Sequence, residues 1–348
     1  MINLDNLLRK NIKSLKPYSS ARDEFQGEAS VFLDANENPF NAPYNRYPDP
    51  LQQLLKEKIA GIKNVPAGNI FLGNGSDEPI DIVIRAFCEP GENNIVAIDP
   101  TYGMYKVAAD INNVEYRTVK LSENFELVST SVFAAIDKNT RLVFLCSPNN
   151  PSANYLDVSE MEKIIEGFEG IVVLDEAYID FSNHVGFLPK LSKYPNLVIL
   201  QTFSKAWGLA AIRLGMAFAS KEIISVFNKI KYPYNINALT QEYALKILNN
   251  DEQKNKWVKE ILANRKLLVD QLSNISCIKK IFPSDANFVL VKVDDAEGLY
   301  KYLIDNKIVV RNRSKIALCA GCIRITVGSK GENEQLCMAL KQYSLNPG

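Results

Sequence analysis

Leu197-Val198-Ile199-Leu200-Gln201-Thr202-Phe203-Ser204-Lys205-Ala206-Trp207-Gly208-Leu209-Ala210-Ala211-Ile212-Arg213-Leu214-Gly215 decides how the rest of the chain reads. The apolar run at 197–200 has the length and branching of a buried strand. Lys205 falls just past that strand's end, where open α/β sheets place their ligands. Arg213 follows eight residues later, with Gly215 beyond it. The amine of Lys205 can form a Schiff base with an aldehyde, and Ser204 with Arg213 can hold a phosphate. Taken alone, a lysine after a strand is usually a solvated one. The residues upstream are what change that reading.

Those residues alternate between two patterns. Strands are expected at 69–72, 94–98, 115–119, 142–146, 171–174, 197–200 and 216–219, with helices at 51–59, 76–88, 102–111 and 158–168 between them. Fully apolar strands alternating with helices predict an α/β fold with a mostly parallel seven-stranded sheet covered on both faces. Past Tyr232-Pro233-Tyr234 the style changes. Helices at 240–248 and 252–272 precede short strands near 286–291, 308–311 and 322–327 and a helix at 296–305, which predicts a smaller α+β domain. The division expected is an N-terminal arm over 1–28, a large domain over 51–235, and a small domain from 29–50 with 236–348. In the arm, Leu4, Leu7, Leu8, Ile12 and Leu15 recur at helical spacing, as for a segment that packs on a partner subunit or another domain. Residues 31–39 read as a strand entering a polar turn.

Composition excludes several classes. The 348 residues carry 40 basic and 40 acidic side chains, so no net basic field is present to hold nucleic acid or an anionic membrane. No apolar run is long enough to span a bilayer. Six scattered cysteines without an export signal point to reduced thiols in the cytosol. The single histidine, His184, argues against a serine or cysteine triad and could not supply a multi-histidine metal site, so no metal is expected. Cys319 and Cys322 form a lone CxxC pair with no second ligand pair.

Chemistry-bearing residues cluster at the predicted strand ends. Gly75-Ser76-Asp77 opens a helix, where free first-turn amides make a phosphate cradle plausible. Tyr102 follows the next strand and can stack on a flat ring. Asn150 follows the strand at 142–146 and can donate to a ring oxygen. Asp175 ends a buried strand, where a lone carboxylate is costly. Paired with a pyridinium N–H, it would keep that nitrogen protonated and make the ring an electron sink. Tyr178 can reach the same ring's phenolic oxygen. Pyridoxal 5′-phosphate carries an aldehyde, a phosphate, a pyridine nitrogen and a phenolic oxygen together.

Asn150-Pro151 after one strand, Asp175-Glu176-Ala177-Tyr178 after the next, and Ser204-Lys205 with Arg213 beyond resemble the fold-type I pyridoxal-phosphate aminotransferases. Within that group the chain most resembles the histidinol-phosphate aminotransferases, through Lys16-Pro17-Tyr18, 33–39, Arg46-Tyr47-Pro48, 73–78 and Arg324-Ile325-Thr326-Val327-Gly328. The resemblance implies L-histidinol phosphate as amino donor and 2-oxoglutarate as acceptor, returned as glutamate, in a homodimer whose sites are completed across the interface. It implies that Lys205 holds the cofactor and acts as base, and that Asp175, Asn150, Tyr178 and Tyr102 address the ring. Ser204, Arg213 and the Gly75-Ser76-Asp77 turn then hold the phosphate, with Tyr47 reaching it from the neighbouring subunit. Arg324, Arg311 and Tyr18 bind the substrate anion. Two positions depart from the family pattern: Ala153 and Ala211 stand where glycine is usual, and a slightly shifted loop is expected at Ala153. An aromatic aminotransferase and a threonine-phosphate decarboxylase share this catalytic core and stay open as alternatives. A pyridoxal-phosphate-binding regulator would need a DNA-binding module, for which the chain has no spare residues.

Overall fold

The computed structural model describes residues 4–19, 25 and 29–345. Two short helices, α1 (Leu4–Leu7) and α2 (Lys10–Ser14), come first. After a long irregular stretch follow α3 (Gln53–Lys63), β1 (Ile70–Asn74), α4 (Asp77–Phe87), β2 (Asn94–Asp99), α5 (Met104–Ile111) and β3 (Glu115–Lys120). Then α6 (Ser129–Ala135), β4 (Thr140–Cys146), α7 (Val158–Gly167), β5 (Ile171–Asp175), β6 (Leu197–Thr202) and β7 (Leu214–Phe218) complete the first sheet. Beyond them run α8 (Lys221–Ile230), α9 (Ala238–Leu248), α10 (Asp251–Leu272), β8 (Ile278–Ile281) and β9 (Phe288–Val293). The chain closes with α11 (Ala296–Asp305), β10 (Arg311–Asn312), β11 (Cys322–Thr326) and α12 (Lys330–Leu345). No helix of the described residues is long and apolar enough to cross a membrane.

The seven-stranded sheet has the order β1-β7-β6-β5-β4-β2-β3. It is parallel from β3 to β6, and β7 runs antiparallel to both its neighbours. This is the α/β fold with a mostly parallel sheet that the alternation predicts. Its faces follow from the period of two along each strand. In β5, Ile171 and Val173 pack with Ile80 and Phe87 of α4 and Phe227 of α8. Val172 and Leu174 pack on the other face with Leu55 of α3 and Ile164 of α7. Each such aliphatic side chain contributes about 1.5–3 kcal/mol by leaving water, which is why β5 tolerates no solvent-facing side. The parallel strands β4, β5 and β6 end side by side, so the segments following them share one edge of the sheet.

The second sheet is antiparallel with the order β10-β11-β9-β8. Val289, Val291, Ile323 and Ile325 face α10, α11 and α12 through Leu268, Leu303 and Leu336. Leu290 and Cys322 point the other way, into the cluster under the large sheet. The same alternation turns Arg324 toward the large sheet. Helix α9 puts Ala244 and Leu248 into that large cluster as well. A bridging cluster of Ala153, Tyr178, Phe181 and Ala206 with Val258, Ala286 and Phe288 joins the two layers.

Several local expectations are corrected. The helical pattern at 3–15 breaks at Arg9, whose backbone N–H donates to the Ala86 carbonyl at 3.1 Å instead of to its own helix. Leu4, Leu7, Leu8 and Ile12 pack against the large-sheet cluster of the same chain, and Lys229 Nζ caps the Ile12 carbonyl at 2.7 Å. No strand forms at 31–39, where Val31 and Leu33 are 69% and 91% exposed. Instead Glu37 receives Arg46 and the Tyr47 amide, each at 2.7 Å, which holds the segment as a loop. The strand expected at 308–311 shrinks to β10, because the Ile308 amide is used to close α11 onto the Leu303 carbonyl at 2.8 Å. Helices α6 and α12 and strand β8 carry too weak an apolar pattern to be read. In α12 only Asn333, Leu336, Cys337 and Leu340 are buried.

Candidate active site

At the shared edge of β4, β5 and β6 lies a cavity of about 150 Å³. Nine of the residues singled out in the sequence line it: Ser76, Asp77, Tyr102, Asn150, Asp175, Tyr178, Ser204, Lys205 and Arg213. They come from the ends of five strands, β1, β2, β4, β5 and β6, with Arg213 just ahead of β7, and only the sheet order brings them together.

Asp175 is the last residue of β5 and is 3% exposed. The Tyr105 hydroxyl donates to its Oδ2 at 2.7 Å and the Ala177 amide to its Oδ1 at 3.0 Å. Burial raises its pKa, and these two hydrogen bonds oppose the rise. Tyr105 joins the candidate site through its bond to Asp175, and sequence reasoning missed it. Its signal was present: it stands one helical turn after Tyr102, and the two rings meet edge to face at 5.7 Å.

Lys205 is half-buried, with Nζ 5.5 Å from the centre of the Tyr178 ring. Burial lowers its pKa, and the Arg324 and Arg213 guanidinium groups lower it further against the pull of Asp175 and Asp77. The direction is the one that favours the neutral amine a nucleophile or base needs.

The opposite end of the cavity is built for an anion. Arg213 adopts a left-handed φ of 51°, uncommon for an arginine and typical of functional strain. Its Nη1 lies 3.5 Å from Ser204 Oγ and its Nη2 3.4 Å from Asp77 Oδ2. Tyr102 donates to the other Asp77 oxygen at 3.1 Å. Ser76 occupies the N-cap of α4 but makes no side-chain cap bond, so its hydroxyl is left for the cavity. Gly75 donates its amide to the Arg213 carbonyl at 2.8 Å. Behind it, a Cβ on Gly215 would lie 2.2 Å from the Gly75 carbonyl carbon, so the cradle needs glycine there.

Asn150 sits on a loop braced by its neighbour. Asn149 receives the Thr101 hydroxyl at 3.1 Å and donates to the Pro100 carbonyl at 2.9 Å and to Ser152 Oγ at 2.7 Å. Ala153 takes a φ of 70° in the same loop. The left-handed conformation costs about 1–2 kcal/mol, partly offset by its buried methyl beside Tyr178 and Phe288. Ala211 stands exposed in the turn Ala210–Ile212 without positive φ. Arg324 does not line the cavity itself, but it donates to Oδ1 of the lining Asn150 and lies over the Phe288 ring at 5.1 Å, which brings it beside the cavity from the small sheet.

Three expected residues stand apart from the cavity. Tyr47 stacks on Tyr234 at 4.4 Å and lines a different surface hollow. Tyr18 is 75% exposed. Arg311 is exposed on β10, directly across the ladder from Arg324. Thr202 and Cys146 line the cavity without having been singled out.

Glu176 is buried beside Asp175, accepting from the Phe187 amide at 2.7 Å and Gln201 Nε2 at 3.0 Å. Burial pushes its carboxyl up to about 7, against those bonds and Lys63. The folded chain therefore holds a proton that the unfolded chain has already released. Stability should fall as pH rises from the ordinary glutamate range to about 7, then level off. Glu176→Gln removes this dependence. Urea unfolding at pH 5 and pH 8 should show the variant gaining about 2–3 kcal/mol on the wild type between them.

A profile described as aminotransferase class I and II matches residues 29–340. The histidinol-phosphate aminotransferase of Bacteroides thetaiotaomicron is 58% identical over 344 residues, 99% of this chain and 99% of that one. The crystal structure of histidinol-phosphate aminotransferase from Clostridium acetobutylicum has a TM-score of 0.80 at 25% identity, covering 87% of this chain and 92% of that one. The histidinol-phosphate aminotransferase from Sinorhizobium meliloti in complex with pyridoxal-5′-phosphate shares the fold, with a TM-score of 0.79 at 23% identity over 87% of this chain and 84% of that one. On the extent of these matches, the chain belongs to the class I and II aminotransferase family.

Proposed function

We propose that this chain is a pyridoxal-phosphate-dependent transaminase that moves the amino group of L-histidinol phosphate to 2-oxoglutarate. What carries the reading is the convergence of Lys205, Asp175 and Arg213 on one cavity. The likeness to a full-length relative of that name gives it its substrate.

The residues present fit the cofactor. Asp175 offers a buried carboxylate to a pyridinium N–H. Lys205 offers to the aldehyde an amine whose pKa burial lowers. Arg213, Ser204, Ser76 and the amides opening α4 offer several donors to a phosphate, a combination that binds dianions firmly. Bound there, pyridoxal 5′-phosphate supplies an electron sink for a substrate carbanion. Asp175 then holds the proton on the ring nitrogen, while Asn150 and Tyr178 orient the ring oxygen and Tyr102 covers one face. Lys205 Nζ takes the proton from the substrate Cα. Arg324 orients the carboxylate of glutamate and 2-oxoglutarate, and with Arg311 and Tyr18 it holds the phosphate of the donor.

Tyr47 and Tyr18 lie outside the cavity of their own chain, and we assign Tyr47 to the phosphate end of a second copy's site. A homodimer is supported by Val31, Leu33, Phe40, Tyr44 and Tyr47, a run of exposed apolar side chains of the kind that marks an interface. Six free cysteines support residence in a reducing compartment, the cytosol.

The test is a half-reaction without keto acid. Cofactor-loaded protein mixed with L-histidinol phosphate should convert to the pyridoxamine form rapidly, and 2-oxoglutarate should reverse the change. Faster conversion by phenylalanine would replace the reading with an aromatic aminotransferase. Carbon dioxide release from threonine phosphate would replace it with a lyase.

A further inference from the structure

The small sheet brings a third arginine to the substrate end of the site. β10 and β11 pair antiparallel with Arg311 opposite Arg324. The ladder continues one step further, where the Arg313 amide donates to the Cys322 carbonyl at 2.8 Å. Residues two apart on a strand share a face. Arg311 and Arg313 therefore lie on the same side as Arg324 and Cys322, which is the side turned toward the large sheet. Ile323 faces the opposite way, into the small domain's own core.

Arg313 is half-buried, and its Nε is shielded from solvent with no hydrogen-bond partner. The Nε of Arg324 is in the same condition. Burial, then Arg324, then Arg311 lower the pKa of Arg313, while Tyr178 of the cavity wall opposes them. Among the described residues, no carboxylate forms an ion pair with Arg311, Arg313 or Arg324. Arg311 is exposed, but Arg313 and Arg324 are partly desolvated cations without a counter-charge, which is costly, and the pair, beside Tyr178 and Asn150 of the cavity, makes a site for a strongly charged anion.

Resting on the transaminase reading above, we propose that Arg313 is a specificity-determining residue that selects a donor bearing a dianionic phosphate over one bearing a carboxylate. A carboxylate has two oxygens, and the planar fork of Arg324 satisfies both. A phosphate monoester presents three oxygens and close to two charges, so it has bonding capacity left after one fork. Arg313 meets that remainder. The two substrates of one site then differ in how many guanidinium groups each engages.

The experiment uses the cofactor-loaded enzyme, in which the cofactor's own phosphate site is filled. Arg313→Gln should raise KM for L-histidinol phosphate about tenfold or more. KM for 2-oxoglutarate should move less than about twofold, with kcat in the glutamate direction nearly unchanged. Arg313→Lys keeps charge without the fork and should fall between. Inorganic phosphate, titrated calorimetrically, should bind the Arg313→Gln holoenzyme about fivefold or more weakly than the wild type. Equal loss on both substrates, or no loss on either, would overturn the proposal, as would unchanged phosphate affinity. If the wild type fails to use L-histidinol phosphate, the substrate reading falls. The phosphate titration then decides by itself whether Arg313 belongs to a dianion pocket.

Discussion

Lys205→Ala should lower the rate of transamination by about 10⁴-fold or more, since it removes the group proposed as both covalent anchor and base. The side chain lines the cavity, with Nζ 5.5 Å from the centre of the Tyr178 ring, and among the described residues no other lysine lines the cavity to replace it. The fold should survive, because a half-buried cation whose pKa is lowered by burial is not stabilising where it stands. Cofactor should still bind through Arg213, Ser204 and the α4 amides. Two readouts check this. Single-turnover kinetics with the amino donor measure the rate. Mass spectrometry after hydride reduction should find the cofactor's mass on the peptide containing residue 205 in the wild type and not in the variant. A variant that transaminates at the normal rate would remove the catalytic assignment altogether.

Asp175→Asn is the second large effect, and here stability and activity should move apart. The amide can replace both hydrogen bonds of the carboxylate, since the Tyr105 hydroxyl can accept as well as donate and Asn Oδ1 still receives the Ala177 amide. What disappears is the charge. A neutral amide cannot hold a proton on the ring nitrogen, and a preorganised electrostatic group of this kind is worth about 10²–10³ in kcat. Asp175 has its pKa raised by burial in the chain without cofactor. The folded state then binds that proton more tightly than the unfolded state, so stability contributed by Asp175 declines as pH rises. Cofactor-free Asp175→Asn should accordingly be at least as stable as cofactor-free wild type at pH 8, while the loaded variant is far slower. Thermal unfolding with and without cofactor, beside kcat, tests both halves. A variant that lost stability without cofactor would show Asp175 to be a structural carboxylate instead.

The site residues differ in how readable they were. Asp175, Lys205 and Arg213 stand at fixed places relative to apolar strands, so their positions follow from local pattern. Tyr105 and Asn149 act on Asp175 and on the Asn150 loop through the fold: the spacing of Tyr105 from Tyr102 was legible, but its bond to Asp175 was not, and nothing in a second asparagine in a turn announces its bracing role. Arg313 was passed over because it lies one residue past a strand only two residues long, Arg311–Asn312, which has almost no pattern. Its place became visible through its register against β11. The loop at 31–39 misled for the opposite reason. Its apolar residues run together, Val31-Phe32-Leu33, like those of a short strand, but no sheet edge meets them in the described chain, and an exposed apolar segment gains nothing from strand geometry without a ladder to join.

By itself the sequence determined the class of sheet, the order of its strands along the chain, and the chemistry available at their ends. Those follow from burial on two faces and from the short range over which caps and turns act. Which strand ends meet was decided only by tertiary structure. The order β1-β7-β6-β5-β4-β2-β3 puts the ends of β4, β5 and β6 side by side, though long stretches of chain separate them. The small sheet's tilt of Arg324 onto Asn150, across 174 residues of sequence, was decided the same way. Such contacts depend on how whole layers pack, and packing sums many weak dispersion and burial contributions that no local stretch encodes.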